Sequence, residues 1–140
     1  MSTGQKIPCS PKLQIDGVVY FPRMCDKIRL FAAGELHADY HANLGKAMDL
    51  WTCQFLSVDY EALKAQVLAG LTDEQALQWC YENGAKPADC VRDWWLSYMR
   101  NCGYRDGLSE KLVMRKNDAG LGERDDIQSF FDFIDAEEGR

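Results

Sequence analysis

Positive charge, long apolar runs and the familiar catalytic signatures are what this sequence has least of. Asp and Glu outnumber Lys and Arg by 22 to 16, a formal net charge of −6. That balance argues against a general nucleic-acid or membrane-surface binder, because phosphate contacts need clustered cations. It leaves room for a small cationic pocket. No run of about 18 apolar residues exists, so no transmembrane helix is expected. The opening Met-Ser-Thr-Gly-Gln-Lys has no apolar leader core. The expectation is therefore a cytoplasmic protein whose six cysteines are reduced. No two of them stand in Cys-x-x-Cys spacing, so neither a zinc ribbon nor a thioredoxin-like pair is present. Most fall on apolar helical faces and read as small buried hydrophobes. G-x-S-x-G, H-E-x-x-H, G-x-x-x-x-G-K-S/T and G-x-G-x-x-G are all missing, and with them any nucleotide loop or hydrolase signature. No cofactor and no metal is indicated.

What is present is helical periodicity. A chain of 140 residues is one domain by size. Residues 1–12, with Pro8 and Pro11, read as extended or loose, and 13–140 as a single domain. Asp16-Gly17 between apolar triplets predicts a two-residue hairpin. Helices are then expected from Pro22 to Gly34, from about Lys46 to Leu56, after an N-cap at Asp59, and after the Thr72–Gln75 capping box. The widest apolar stripe is Val91, Trp94, Trp95, Tyr98, Met99 and Cys102. It predicts a central packing helix over Pro87–Cys102. A weaker segment follows at Ser109–Lys116. A last helix is expected near Asp125-Asp126, with Ile127, Phe130, Phe131 and Ile134 inward and Glu137 and Glu138 trailing into solvent. The fold class is all-α or predominantly α: a bundle of about six helices with a short N-terminal β-hairpin.

The stretch Phe21–Asn43 carries the chemistry. Arg23 and Lys27 are four apart on the first helix, so they are like-charged neighbours. Arg23 also lies in the first turn, where the helix dipole is already positive. Something negative is expected opposite them. It is either a carboxylate elsewhere in the chain, with Asp132 and Asp135 the simplest candidates, or an anionic ligand at the helix N-terminus. Asp26, three residues from Arg23 and from Arg29, can pair within the helix. Both histidines of the chain follow, His37 and His41, with Asp39 and Tyr40 between them. His37, Asp39 and His41 alternate as metal ligands on a strand can, but no third strong ligand stands at a fixed spacing. A histidine near a carboxylate can also act as a general base.

The string Phe21-Pro22-Arg23-Met24-x-Asp26-Lys27-x-Arg29, with Gly34 and Tyr40-His41-x-Asn43, resembles a bacterial family, domain-of-unknown-function family 5069. The tail is similar too: Arg124-Asp-Asp-Ile127, two phenylalanines, Asp132 and Asp135. The likeness runs from about Gly17 to Glu138. His37 and Asp39 stand where the family would have a glycine and a glutamate. The resemblance implies a helical cytoplasmic protein and supplies no activity. It also implies that Arg23, Asp26, Lys27, Tyr40 and His41 form one constellation.

Three readings follow. In the first, the chain is a binding or interaction module whose Arg23, Asp26, Lys27, Tyr40 and His41 receive an acidic small molecule or an acidic partner segment. In the second it is an enzyme, with His41 as base, Asp39 beside it and Arg23 orienting an anionic substrate; a concave pocket around His41 and a second titratable group is then required. In the third the polar set only fixes the last helix to the first. Neither nucleic acid nor membrane is an expected partner.

Overall fold

The computed structural model describes residues 5–140. An antiparallel hairpin, β1 (Gln14–Ile15) and β2 (Val18–Val19), precedes α1 (Phe21–Ala32) and a 3-10 helix (Ala38–Asn43). Then come α2 (Met48–Leu56), α3 (Tyr60–Leu68), α4 (Asp73–Asn83), α5 (Asp89–Asn101), α6 (Ser109–Asp118) and α7 (Phe130–Glu137). The chain is predominantly α, and the hairpin is in place. Asp16 and Gly17 both take positive φ, 49° and 77°, as a two-residue hairpin turn of this type requires. The register pairs Gln14 with Val19 and Ile15 with Val18. A two-strand ribbon cannot stand alone; this one buries Val18 and Val19 completely and packs on α1, α4 and α5.

The element at the centre is α1. Phe21, Met24, Cys25 and Ile28 are buried along it. Pro22 sits in its first turn, where a missing N–H costs nothing. The expectation that the helix over Pro87–Cys102 would be central is corrected. Only Met99 within α5 is fully buried, while Trp94 is 70% and Tyr98 54% exposed. The stripe is two faces. Trp95, Met99 and Cys102, spaced four and three, turn inward, and Trp95 stacks on Phe55 with ring centroids 4.3 Å apart. Val91, Trp94 and Tyr98, spaced three and four, form a second row that faces solvent.

Caps set the other boundaries. The Asp59 carboxylate accepts from the Ala62 N–H, and the Thr72/Gln75 capping box is reciprocal. The last helix starts later than expected, at Phe130. Its cap is Ser129, whose hydroxyl accepts from the Asp132 N–H, and Asp126 instead pairs with Arg124 at 2.7 Å. Of the segment read as extended or loose, residues 1–4 lie outside the described residues. From Lys6 onward it is tied down: Lys6 bridges to Leu36, and Pro8 and Pro11 are buried.

Two apolar clusters result. The larger gathers β2, α1 and residues of α2, α3 and α4; the smaller holds Cys102, Leu112, Ile127, Phe130 and Phe133 under α6 and α7. Met48 and Trp51 of α2 pack against both, so α2 is the seam.

Candidate functional site

Arg23 and Lys27 are each 4% exposed, and each is answered from within the chain. The Arg23 guanidinium makes a bidentate pair with Glu138, at 2.9 and 2.7 Å, and donates to the Cys9 carbonyl at 3.0 Å. The Tyr40 hydroxyl donates to the same carboxylate at 2.6 Å, and Arg140 bonds it too. Burial opposes the charge on Arg23, yet the pair with Glu138 outweighs it and the net shift is upward. Burial likewise pushes the Glu138 carboxyl up, but the hydrogen bonds from Arg23, Tyr40 and Arg140 outweigh it and hold it below the usual carboxylate range.

Lys27 Nζ donates to Asp49 Oδ1 at 3.0 Å. Asp49, wholly buried, also accepts from the Tyr20 hydroxyl at 2.7 Å and the Gly45 N–H at 3.0 Å. Burial lowers the pKa of Lys27 against the pull of Asp49. Tyr20 precedes α1 at φ 72°, a left-handed conformation that a bulky residue adopts at a cost. Its bond to Asp49 and the ring of Phe131, 6.2 Å away, hold it there.

The demand for negative charge read from the sequence is therefore met, but not by Asp132 and Asp135. Asp132 takes Lys12 at 2.8 Å; Asp135 takes Ser10 at 2.9 Å and Arg140 at 3.0 Å. Glu138 does not trail into solvent: its side chain is 3% exposed. Nor does Asp26 pair within α1. It accepts the Cys9 N–H at 2.9 Å, while Arg29 pairs with Asp73 at 2.8 Å.

Arg23, Lys27 and Tyr40 share the floor of a groove of about 680 Å³ between the α1/3-10/α2 side and the α6/α7 side. Trp51, Leu108, Phe130 and Phe133 supply apolar wall, and His37, Asp39 and Glu137 also line it. His41 stands outside it. Its ring packs edge-on against Phe31 at 4.9 Å, and its Nε2 is 2.9 Å from the Leu36 carbonyl oxygen, so that nitrogen acts as donor. His37 Nδ1 accepts the Asp39 N–H, capping the 3-10 helix. No group of three or more His, Cys, Asp or Glu gathers to hold a metal among the described residues.

Three cations lining the groove were not singled out in the sequence: Lys46, Lys111 and Arg115. All are exposed, and none has a carboxylate within salt-bridge distance among the described residues. A signal for two of them existed. Lys111 and Arg115 are four apart on α6, the same like-charged spacing that marked Arg23 and Lys27. A second cleft, of about 590 Å³, runs between α5 and the start of α7; its Lys12 is bonded to Asp132, which leaves Arg100 as its single cation with no carboxylate within salt-bridge distance among the described residues.

All six cysteines are free. Burial pushes Cys53 and Cys80 up to about 12 and Cys9 to about 11, so these thiols are unreactive near neutrality. Among the described residues no helix is long and apolar enough to cross a membrane. No curated protein and no solved structure matches the chain. A family model does match, over residues 5–140, and the chain belongs to that family, described as a domain of unknown function (DUF5069).

Proposed function

We propose that the protein is a binding or interaction module that takes an acidic ligand, a small molecule or a partner segment, in the groove beside α1. One observation carries this reading. Lys46, Lys111 and Arg115 line one groove, and among the described residues none has a carboxylate within salt-bridge distance, in a chain whose net charge is −6. Acidic groups are abundant here, and the buried cations all have one. Cations left together on a concave wall raise the local concentration of anions. In this reading Arg23 and Lys27 build the floor, held rigid by Glu138 and Asp49, and the three free cations make first contact. Free thiols, four of them buried, fit a reducing cytoplasm.

Thermal unfolding with citrate, with decanoate below its micellar concentration and with a hexaglutamate peptide tests the idea. A ligand bound only by the folded state raises the melting temperature in proportion to the logarithm of its concentration. At least one probe should do so, and Lys111→Glu with Arg115→Glu should abolish the effect. The substitutions themselves should change stability by no more than about 0.5 kcal/mol, because both side chains are exposed. Failure of all three probes, or a response untouched by the charge reversal, refutes the reading.

A further inference from the structure

Resting on that reading, we infer that the ligand is an amphiphile: a small acid with one anionic head and an alkyl or aryl body. The groove's lining holds both kinds of group. The cations Lys111 and Arg115 come from α6 and Lys46 from the loop before α2. The same lining holds Trp51, Phe130 and Phe133, with Asp39 and Glu137 its exposed carboxylates, and it follows the seam where Met48 and Trp51 touch both apolar clusters. Ile7, 47% exposed, adds an apolar edge with little packed against it.

Size separates this ligand from its competitors. About 680 Å³ lies within the range of small-molecule sites, roughly 300–1,000 Å³. An inorganic anion would leave most of that lining wet. A polyacidic segment would set carboxylates against aromatic rings, where burying unpaired charge is costly. A head at the three cations with a body along Trp51 and Phe133 matches both kinds of group.

Calorimetric titration with decanoate below its micellar concentration, butyrate, decanol and hexaglutamate decides it. Each methylene that leaves water strengthens binding roughly fourfold. Decanoate should therefore bind at least tenfold tighter than butyrate, decanol at least tenfold more weakly than decanoate, and hexaglutamate less tightly than decanoate. Two variants guard against adventitious binding elsewhere: Lys111→Glu/Arg115→Glu at the head and Ile7→Glu at the body. Each should weaken decanoate at least tenfold while the circular dichroism spectrum stays unchanged. Decanoate no tighter than butyrate overturns the amphiphile but leaves anion binding standing if butyrate or citrate still needs Lys111 and Arg115. Hexaglutamate as the tightest probe overturns it in favour of an acidic partner segment. Decanoate binding indifferent to both variants overturns it as a non-specific apolar contact. If no anion binds at all, the parent reading falls as well.

Discussion

Glu138 is the residue on which the Arg23 arrangement turns. Its carboxylate receives two guanidinium bonds from Arg23, one hydroxyl bond from Tyr40 and a contact from Arg140. Glu138→Gln keeps the shape and removes the charge, so it should cost about 1.5–3 kcal/mol, the range for hydrogen bonds to charged groups. Glu138→Ala strands a buried guanidinium and should cost about 3–5 kcal/mol. The pH dependence has a definite sign. The folded carboxyl sits below the usual range, so the unfolded chain takes up the proton first. The stabilisation is complete above about pH 4.3 and is lost as pH falls through the folded value. Denaturant titrations between pH 3 and 7 should show a shallower acid loss for Glu138→Gln than for the parent; equal slopes would remove Glu138 from the account. The sequence showed that Arg23 and Lys27 needed anions, because helix geometry alone makes their spacing unfavourable. It did not show which anions. Asp49 hides in the first turn of α2, where acids are ordinary. Glu138 follows Glu137 near a glycine, a composition that reads as solvated tail.

The elements follow the same division between what is local and what is not. Capping residues are local chemistry, so Asp59, Thr72 and Gln75 could be placed from the sequence. The partition of α5 into an inward and an outward row depends on neighbours far along the chain, and six apolar residues at helical spacing do not say which three will be covered. Gly84 shows how tightly one such neighbour is set. At the end of α4 its Cα faces the end of α2, and the next residue, Ala85, donates to the Leu56 carbonyl at 2.9 Å. A Cβ there would strike the Leu56 carbonyl oxygen and come within 2.8 Å of that of Ser57. Backbone cannot swing aside as a flexible side chain does. Gly84→Ala should therefore destabilise by about 1–3 kcal/mol, the overpacking range, despite the entropy it removes from the unfolded chain. Chemical denaturation measures this directly, and a neutral or stabilised variant would mean that the two helix ends are free to separate.

Across the whole molecule, the two apolar clusters are unequal. α1 buries seven of its residues, including Arg23 and Lys27, whereas α6 buries Leu112 alone. Local opening follows the density of buried contacts, so α6 should open at lower free energy than α1, α3 or α4. The cations proposed to meet the ligand, Lys111 and Arg115, ride on this weakly anchored helix, while the groove floor belongs to the best anchored one. Ligand bound across the groove would tie α6 to α1 through contacts that the chain does not make by itself. In native-state hydrogen exchange, the amides of α6 should exchange well before those of α1 and α3. Decanoate at a hundred times its dissociation constant should slow α6 up to about 100-fold, the limit set by mass action when opening α6 releases the ligand. Amides that exchange only by opening within α3, away from the groove, should change far less. Uniform protection of both helices would mean that the bundle opens as one unit. Protection of α3 without α6 would place the bound molecule somewhere other than between Lys111 and Trp51.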